Sequence, residues 1–513
     1  MRRPLLVVVV VVLAIGVLAA VLAANAARFT SRQVAAEPAP PFAAQPGAAE
    51  RLAGAIRIKT ISYDDTARRD PAAFPALRDY LVKAFPRVHA TLRREIVARD
   101  AMLYTWPGSD SAAAPLVLMA HLDVVPVEAA AEARWTQPPF GGVVDGDFIW
   151  GRGTLDDKAS ALGILEAAEG LLARDFRPQR TVYLAFGADE EAGGAGARAV
   201  AELLRSRGVR PALVLDEGGA VVRGVMPGIA APVALVGVAE KGYASVRLEA
   251  RGPGGHSSMP PRNTAVGILA RAITRLEDEP FPAAIRGPVA SLLDHAGREM
   301  PFRLKLVFAN RWLTEPLIRR QLSAAPSTDA ALRTTTAVTM LEGAPKENVL
   351  PSRARAVVNF RLLPGDSLRG VVEHVRRVVE DPRVSAELDS RTATEPSPVS
   401  PTEGPAWETL ARTIRSVYPD AVVAPYLSLG GTDARWYTGL SANVYRFLPQ
   451  RWDPDDIARI HGIDERLRVS AYLEQIRFYA VLMQNVAGER EEGRGERELR
   501  SLSPLPSSLP PRS

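Results

Sequence analysis

The sequence predicts an α/β fold: a mainly parallel central sheet, a second α+β domain inserted into it, and an N-terminal transmembrane helix. Three observations lead there. Short apolar runs that end on acids or His alternate with helical segments. Between about residues 241 and 393 the texture changes to alternating, half-exposed strands. Ahead of both lies an uncharged stretch, residues 4–27, that follows Arg2 and Arg3.

The apolar part of that stretch, residues 5–24, spans a hydrocarbon core of about 30 Å as a helix. A cleavable signal has a shorter apolar region, about 7–15 residues. An uncleaved anchor is therefore preferred. Ala24-Asn25-Ala26 resembles a small-residue cleavage site and keeps the cleaved, secreted alternative open. In either case the Arg pair stays cytoplasmic and the remaining chain is exported, to a periplasmic or other extracytoplasmic space. Residues 1–27 are read as the anchor and 28–47, rich in Pro and Ala, as a linker.

The main domain starts at about residue 48 and runs to 240. Leu116-Val117-Leu118-Met119 reads as a buried strand leading into Ala120-His121-Leu122-Asp123. Residues 181–186 form a second strand, ending at Asp189-Glu190-Glu191, and 212–215 a third, ending at Asp216-Glu217-Gly218-Gly219. The segment 158–174, rich in Ala and Leu, is helical. In such sheets functional groups gather outside the carboxyl ends of the strands. Residues 241–393 form the inserted domain, with alternating strands at 244–250 and 354–362, helices at 265–278 and 368–380, and an apparent further insertion at 281–326. A Pro/Ser/Thr stretch, 392–405, returns the chain to the main domain (394–487), and the charged, then Ser/Pro-rich tail 488–513 is expected to be disordered.

Composition narrows the chemistry. With no Cys there is no disulfide framework, and a metal site must draw on His, Asp and Glu. Only six His are available. Lys and Arg number 63 against 58 acids, a net charge of +5 spread without a long basic run. No interleaved basic and aromatic patch accompanies it, so nucleic acid is not expected as a partner.

Five short motifs bring acids and His together: His121-Leu122-Asp123, Gly151-Arg152-Gly153-Thr154-Leu155-Asp156-Asp157-Lys158, Asp189-Glu190-Glu191, Asp216-Glu217-Gly218-Gly219 and His461-Gly462-Ile463-Asp464-Glu465-Arg466. Each alone has an ordinary explanation: a loop His, helix N-caps, a solvated acidic loop. Taken together they supply what a dinuclear hydrolytic site needs: terminal His and carboxylate ligands, a bridging carboxylate and a proton acceptor. His121 and Asp123, two apart on an extended segment, point to one side, so His121 can bind metal while Asp123 holds its other ring nitrogen.

This combination, with Gly254-Gly255-His256-Ser257-Ser258-Met259-Pro260, resembles the co-catalytic zinc metallopeptidase family of carboxypeptidase S, carboxypeptidase G, aminoacylase and succinyl-diaminopimelate desuccinylase. The resemblance covers roughly residues 48–485 and is strongest to the carboxypeptidase S and secreted N-acyl amino acid hydrolase branch. Position 464 is Asp where that branch reads Asn. The resemblance implies a zinc-peptidase catalytic domain and an inserted lid that also dimerises in relatives. It implies two zinc ions, with Asp156 bridging, His121 and Asp216 completing one site, and Glu191 and His461 the other. Cobalt or manganese could substitute. Glu217 adjoins a ligand, and Asp157 reads as structural. Glu190 corresponds to the general base, Asp123 to the acid that orients His121, and His256 to the lid His that stabilises the oxyanion. Asn348, Arg361 and the loop Gly430-Gly431-Thr432 correspond to substrate contacts; Arg361 suits a free α-carboxylate.

The implied activity is hydrolysis of a peptide or N-acyl amide bond, carboxypeptidase-like in the first reading. The alternative is an N-acyl amino acid hydrolase/synthase of aminoacylase type. A non-catalytic binding protein of the same fold ranks third, because a pure binder has no use for Glu190. Partners are the peptide or N-acyl amino acid substrate, the membrane, and a second copy through the lid. The insertion at 281–326 sets this lid apart from compact relatives and puts that dimer in question.

Overall fold

The computed structural model describes residues 2–224, 226 and 228–488. The tail expected to be disordered lies, apart from Gly488, outside the described residues. Eight strands build the central sheet: β1 (Arg93–Val97), β2 (Ala101–Trp106), β3 (Leu116–His121), β4 (Val182–Gly187), β5 (Leu213–Val222), β6 (Val233–Glu240), β7 (Val422–Ser428) and β8 (Val444–Trp452). Their spatial order is β1-β2-β4-β3-β5-β8-β6-β7. β4, β3, β5 and β8 run parallel, as do β6 and β7. β1–β2, β2–β4 and β8–β6 are antiparallel. The sheet is therefore mixed, which corrects the mainly parallel expectation. One physical reason is local: a tight turn through Ala98, at φ 52, folds β1 back on β2 as a hairpin, and hairpin neighbours are antiparallel by construction.

Helix α1 (Arg2–Arg28) is long and apolar enough to cross a membrane, by length and composition. Helix α2 (Lys158–Leu172) is buried along almost its whole length because it lies between the sheet and the helix Val469–Ala487. That sandwich explains its all-round Ala and Leu content. Its buried Glu166 is answered by Arg51, whose Nε donates at 2.6 Å.

The inserted segment carries a four-stranded antiparallel sheet in the order Thr335–Glu342, Arg353–Leu362, Gly242–Arg251, Val384–Leu388. Alternate residues (Ala244, Val246 and Leu248 on one strand, Ala356, Val358 and Phe360 on its neighbour) face the helices Ala265–Asp278 and Leu368–Val379. Period-two burial on one face is what the alternating sequence dictates.

The segment read as a further insertion in the lid folds as three helices, α3 (Gly287–Gly297), α4 (Phe302–Phe308) and α5 (Arg311–Leu322). These helices do not extend the lid sheet. α3 packs on β7, the edge strand of the central sheet, where Ala296 and Met300 join Val233, Val422 and Ala424 in one apolar cluster. The Pro/Ala-rich stretch after α1 is packed as well. The Gln33 side chain donates to Val423 O (3.0 Å) and accepts from Val423 N (2.8 Å), covering part of the β7 edge. Ala39 N donates to Ser416 O at 2.8 Å.

Candidate active site

The five motifs converge at one end of the central sheet. His121 is the last residue of β3. Glu190 and Glu191 open a single 3-10 turn after β4. Asp156 lies two residues before α2. Glu217 sits within β5, and His461 follows the short helix Pro454–Arg459.

Asp156 is the centre. Its Oδ1 lies 2.8 Å from His121 Nε2, and its Oδ2 lies 3.1 Å from His461 Nε2. Each oxygen thus faces a different imidazole. Glu217 Oε1 lies 3.3 Å from His121 Nε2, and Glu191 Oε1 lies 3.0 Å from His461 Nε2. Two donors held at about 2.0–2.1 Å around one tetrahedral ion stand about 3.3 Å apart, so these separations fit one cation between each His and its carboxylates. Ligand atoms of His121, Asp156 and Glu191, and likewise of His121, Asp157 and Glu217, fall within 4.8 Å of one another.

The electrostatics point the same way. Burial, then the Asp156 charge, pushes Glu217 well above the usual carboxylate range. Burial, then Asp433, Glu217 and Glu191, pushes Glu190 well up despite the opposing pull of His121. Crowded, desolvated carboxylates of this kind call for cations. Asp156 is held low against its burial by His121 and His461, while His461 is pushed up to about 10 by Asp156 and Glu191. The donor set, two imidazoles with several carboxylates, suits divalent transition metals.

Asp123 organises both halves. It is fully buried; its carboxylate lies 3.4 Å from His121 Nδ1, and its backbone carbonyl lies 3.0 Å from the same nitrogen. The same carboxylate accepts from the backbone N–H of Glu190 (3.1 Å) and of Glu191 (3.2 Å). One side chain therefore sets the imidazole and the turn that presents both glutamates.

Asp216 does not join the cluster as expected of a ligand. Its Oδ2 accepts from Ala434 N at 2.6 Å, and Glu217 takes the place beside His121. A β-bulge is the cause. Asp216 pairs with Arg446, but the next paired residues are Gly219 and Phe447, so Glu217 and Gly218 are extra. A bulge re-aims the side chains it contains. The strand also continues through the acids to Val222 and does not stop before them.

The remaining expected residues lie apart. His256 is exposed on a two-residue ribbon paired with Val349–Leu350, and its Nδ1 meets Ser258 Oγ at 2.8 Å. Asn348 is exposed beside it, its carbonyl accepting from Ser257 N. Arg361 stacks on Tyr243, 4.8 Å from the ring centre, and shares a cleft with Lys241, Glu240, Gly431 and Arg435. Gly430 is exposed; Thr432 is buried and bonds Glu240 through both its N–H (3.1 Å) and its hydroxyl (2.9 Å). Glu240 also pairs with the fully buried Arg446.

Three further residues escaped the sequence reading. Arg152 Nη1 donates to Glu465 Oε2 at 2.6 Å, and Nη2 donates to the carbonyls of His461 and Gly462. Glu465 Oε1 accepts from the N–H groups of Gly153 and Leu155. This buried pair clamps the Asp156 loop to the His461 loop. Asp433 is buried with neither carboxylate oxygen hydrogen-bonded among the described residues, in space that Gly187 and Gly194 leave open. Arg152 and Glu465 stand inside motifs already singled out, and what hid them was that each has its partner in the other's motif; Asp433 directly follows the Gly430-Gly431-Thr432 loop.

With this geometry the class is defined: the chain belongs to Peptidase family M20/M25/M40, whose profile it matches over residues 117–485. Among curated proteins it is 41% identical over 485 residues to a probable carboxypeptidase S-like 2 of Dictyostelium discoideum, covering 92% of each chain. It is 41% identical over 448 residues to human N-fatty-acyl-amino acid synthase/hydrolase PM20D1, covering 86% of this chain and 88% of that one. Carboxypeptidase S of Saccharomyces cerevisiae is 34% identical over 488 residues (85% and 84%). Among solved structures, an M20 family metallo-carboxypeptidase from Sulfolobus solfataricus shares the fold, with a TM-score of 0.62 at 17% identity over 86% of this chain and 99% of that one.

Proposed function

We propose that the chain is an exported zinc hydrolase that cleaves an amide bond whose amine side carries a free carboxylate. The observation that carries this is Asp156, with one oxygen facing His121 and the other facing His461. Membership of a metal-dependent peptidase family and kinship with carboxypeptidase S support it. In the proposed ligand set His121, Asp156 and Glu217 would hold one zinc, and His461, Asp156 and Glu191 the other, with Glu217 in the place expected of Asp216. When bound, the two ions would acidify a shared water and polarise the scissile carbonyl.

The chain's own groups do the rest. Glu190, half-buried beside this cluster, takes the proton from the attacking water and returns it to the leaving amine. Asp123 fixes the turn that aims Glu190. Arg361, Lys241 and Arg435 line one cleft where the lid joins the main sheet, and they complement a substrate carboxylate. His256 reaches the oxyanion only when the lid closes or when a second copy supplies it, so residues 241–393 are taken as a lid that moves or pairs. α1 serves as the membrane anchor, with cleavage and secretion as the alternative.

A second reading is N-acyl amino acid hydrolysis, or synthesis when products accumulate. It is supported by 41% identity to a protein named N-fatty-acyl-amino acid synthase/hydrolase, which equals the 41% to a probable carboxypeptidase S-like protein, so identity does not rank the two readings. Both substrates share the amide and the free carboxylate. The test loads the full chain, in detergent micelles, with zinc and offers N-blocked dipeptides alongside N-acyl amino acids. Release of free amino acid that falls at least about 100-fold in Glu190→Gln, with metal content unchanged, supports the hydrolase. Full turnover in that variant, or in the metal-stripped protein, overturns it. The substrate ranking separates the two readings.

A further inference from the structure

We propose that the helical insertion α3–α5 is a membrane-docking face, which seats the exported domain on the same leaflet that α1 enters. The proposal rests on reading α1 as an anchor, and three further observations carry it. First, large apolar side chains of that stretch are exposed among the described residues: Phe302 is 55% exposed, Trp312 65%, Leu313 47% and Leu317 64%. An exposed apolar group of this size on one short stretch marks an interaction site. Second, the same stretch is basic. Arg303, Lys305, Arg311, Arg319 and Arg320 stand between Phe302 and Leu322, with Glu315 as the one acid. Large apolar residues on a stretch that also carries Lys and Arg are the composition of a helix lying in a bilayer interface, where the cations meet lipid phosphates.

Third, the depth is right, because the insertion grips the end of α1. Asn25 Nδ2 donates to Asn310 Oδ1 at 2.8 Å, and Asn310 Nδ2 donates to Leu22 O at 3.1 Å. Arg298 stacks on Phe29 at 4.2 Å and donates to Thr30 O, and Arg32 pairs with Asp294 at 2.9 Å. The apolar span ends in this same stretch, so Asn310 stands at the bilayer boundary. Trp312 and Leu313 follow within one helical turn of it, at the level where amphipathic aromatics sit. The anchor therefore does not hang on a loose tether. It leaves the domain through the face whose exposed side chains suit the headgroup region.

Because the chain has no Cys, single substitutions give unique labelling sites. Trp312→Cys and Leu317→Cys probe the face. Val12→Cys probes α1, and Ile96→Cys, on β1 at the opposite edge of the central sheet from β7, is the control. Each full-length variant carries an environment-sensitive fluorophore and is reconstituted in vesicles of phosphatidylcholine and phosphatidylglycerol containing spin-labelled lipid. The expected result is at least a twofold loss of emission at 312 and 317, strongest with the spin label near the headgroups, and no change at 96. Labels at both 312 and 317 that behave like the one at 96, while 12 is quenched, overturn docking and leave the anchor standing. A blue shift at 312 and 317 without lipid quenching means that a second copy covers the face, and also overturns it. An unquenched label at 12 defeats the anchor reading instead; quenching at 312 and 317 after addition to preformed vesicles would then still uphold docking, and its absence would overturn it.

Discussion

Asp216 and Glu217 are neighbours of one charge type, and a difference of one position gives them different surroundings. The bulge leaves Asp216 accepting from Ala434 N and puts Glu217 beside His121. Glu217→Gln is expected to cost one equivalent of metal, read by elemental analysis, and about 100-fold or more in turnover. Asp216→Asn is expected to keep both metals and to lose about 1–3 kcal/mol of stability, the scale of one charged hydrogen bond, read by urea unfolding. The reverse outcome restores Asp216 as ligand. The Arg152–Glu465 clamp is the other decision at this scale. Breaking a buried pair by deleting one partner costs about 3–5 kcal/mol, because the other charge is left buried. Glu465→Ala should show that loss in denaturation, together with weaker metal retention, since the loops of Asp156 and His461 are no longer tied.

At the scale of elements, strand irregularity and a crossing point do the positioning. A Cβ on Gly219 would stand 2.0 Å from Leu235 O, so only glycine lets β5 pass β6 where the bulge needs it. The Asp-Glu-Gly-Gly motif is thus a bulge signature as much as a chemical one. At the crossing into the lid, Lys241 Nζ donates to the carbonyls of Ala330 (2.7 Å) and Arg333 (3.0 Å). Burial, then the charge of Arg361, pushes its pKa down to about 8, against about 10.4 for a free lysine. The unfolded chain then binds this proton more tightly than the folded one between those values, so the group's contribution to stability rises with pH from about 8 to about 10.4 and is lowest, and flat, below 8. Melting temperatures across that window should climb less in Lys241→Met than in the parent. An equal climb in both would assign the rise to other groups.

Over the whole molecule, α1, the packed stretch after it and the helical insertion make one assembly on the β7 edge, while the His and carboxylate cluster lies at the strand ends of the same sheet. A chain anchored by α1 should stay with membranes through alkaline carbonate washing and be released only by detergent. Recovery of a form shortened by about 25 residues in the soluble fraction would instead establish cleavage.

The α/β class, the apolar N-terminal helix, the alternating strands of the second sheet, and the motifs that hold His121, Asp156, Glu190, Glu191 and His461 were all legible along the chain. Periodicity and short-range residue chemistry are local properties, and each of these features is local. The rest follows from how distant segments pack. The mixed sheet depends on which strands meet. The placement of Glu217, and not Asp216, beside His121 depends on a bulge defined against β8. The clamp joins residues 313 positions apart. The insertion, adjacent in sequence to strands of the second sheet, packs part of its apolar surface on the far edge of the other sheet and bonds the root of the N-terminal helix. Such pairings have no sequence period. They arise because burial and hydrogen-bond satisfaction are settled between distant segments, once the whole chain has closed on itself.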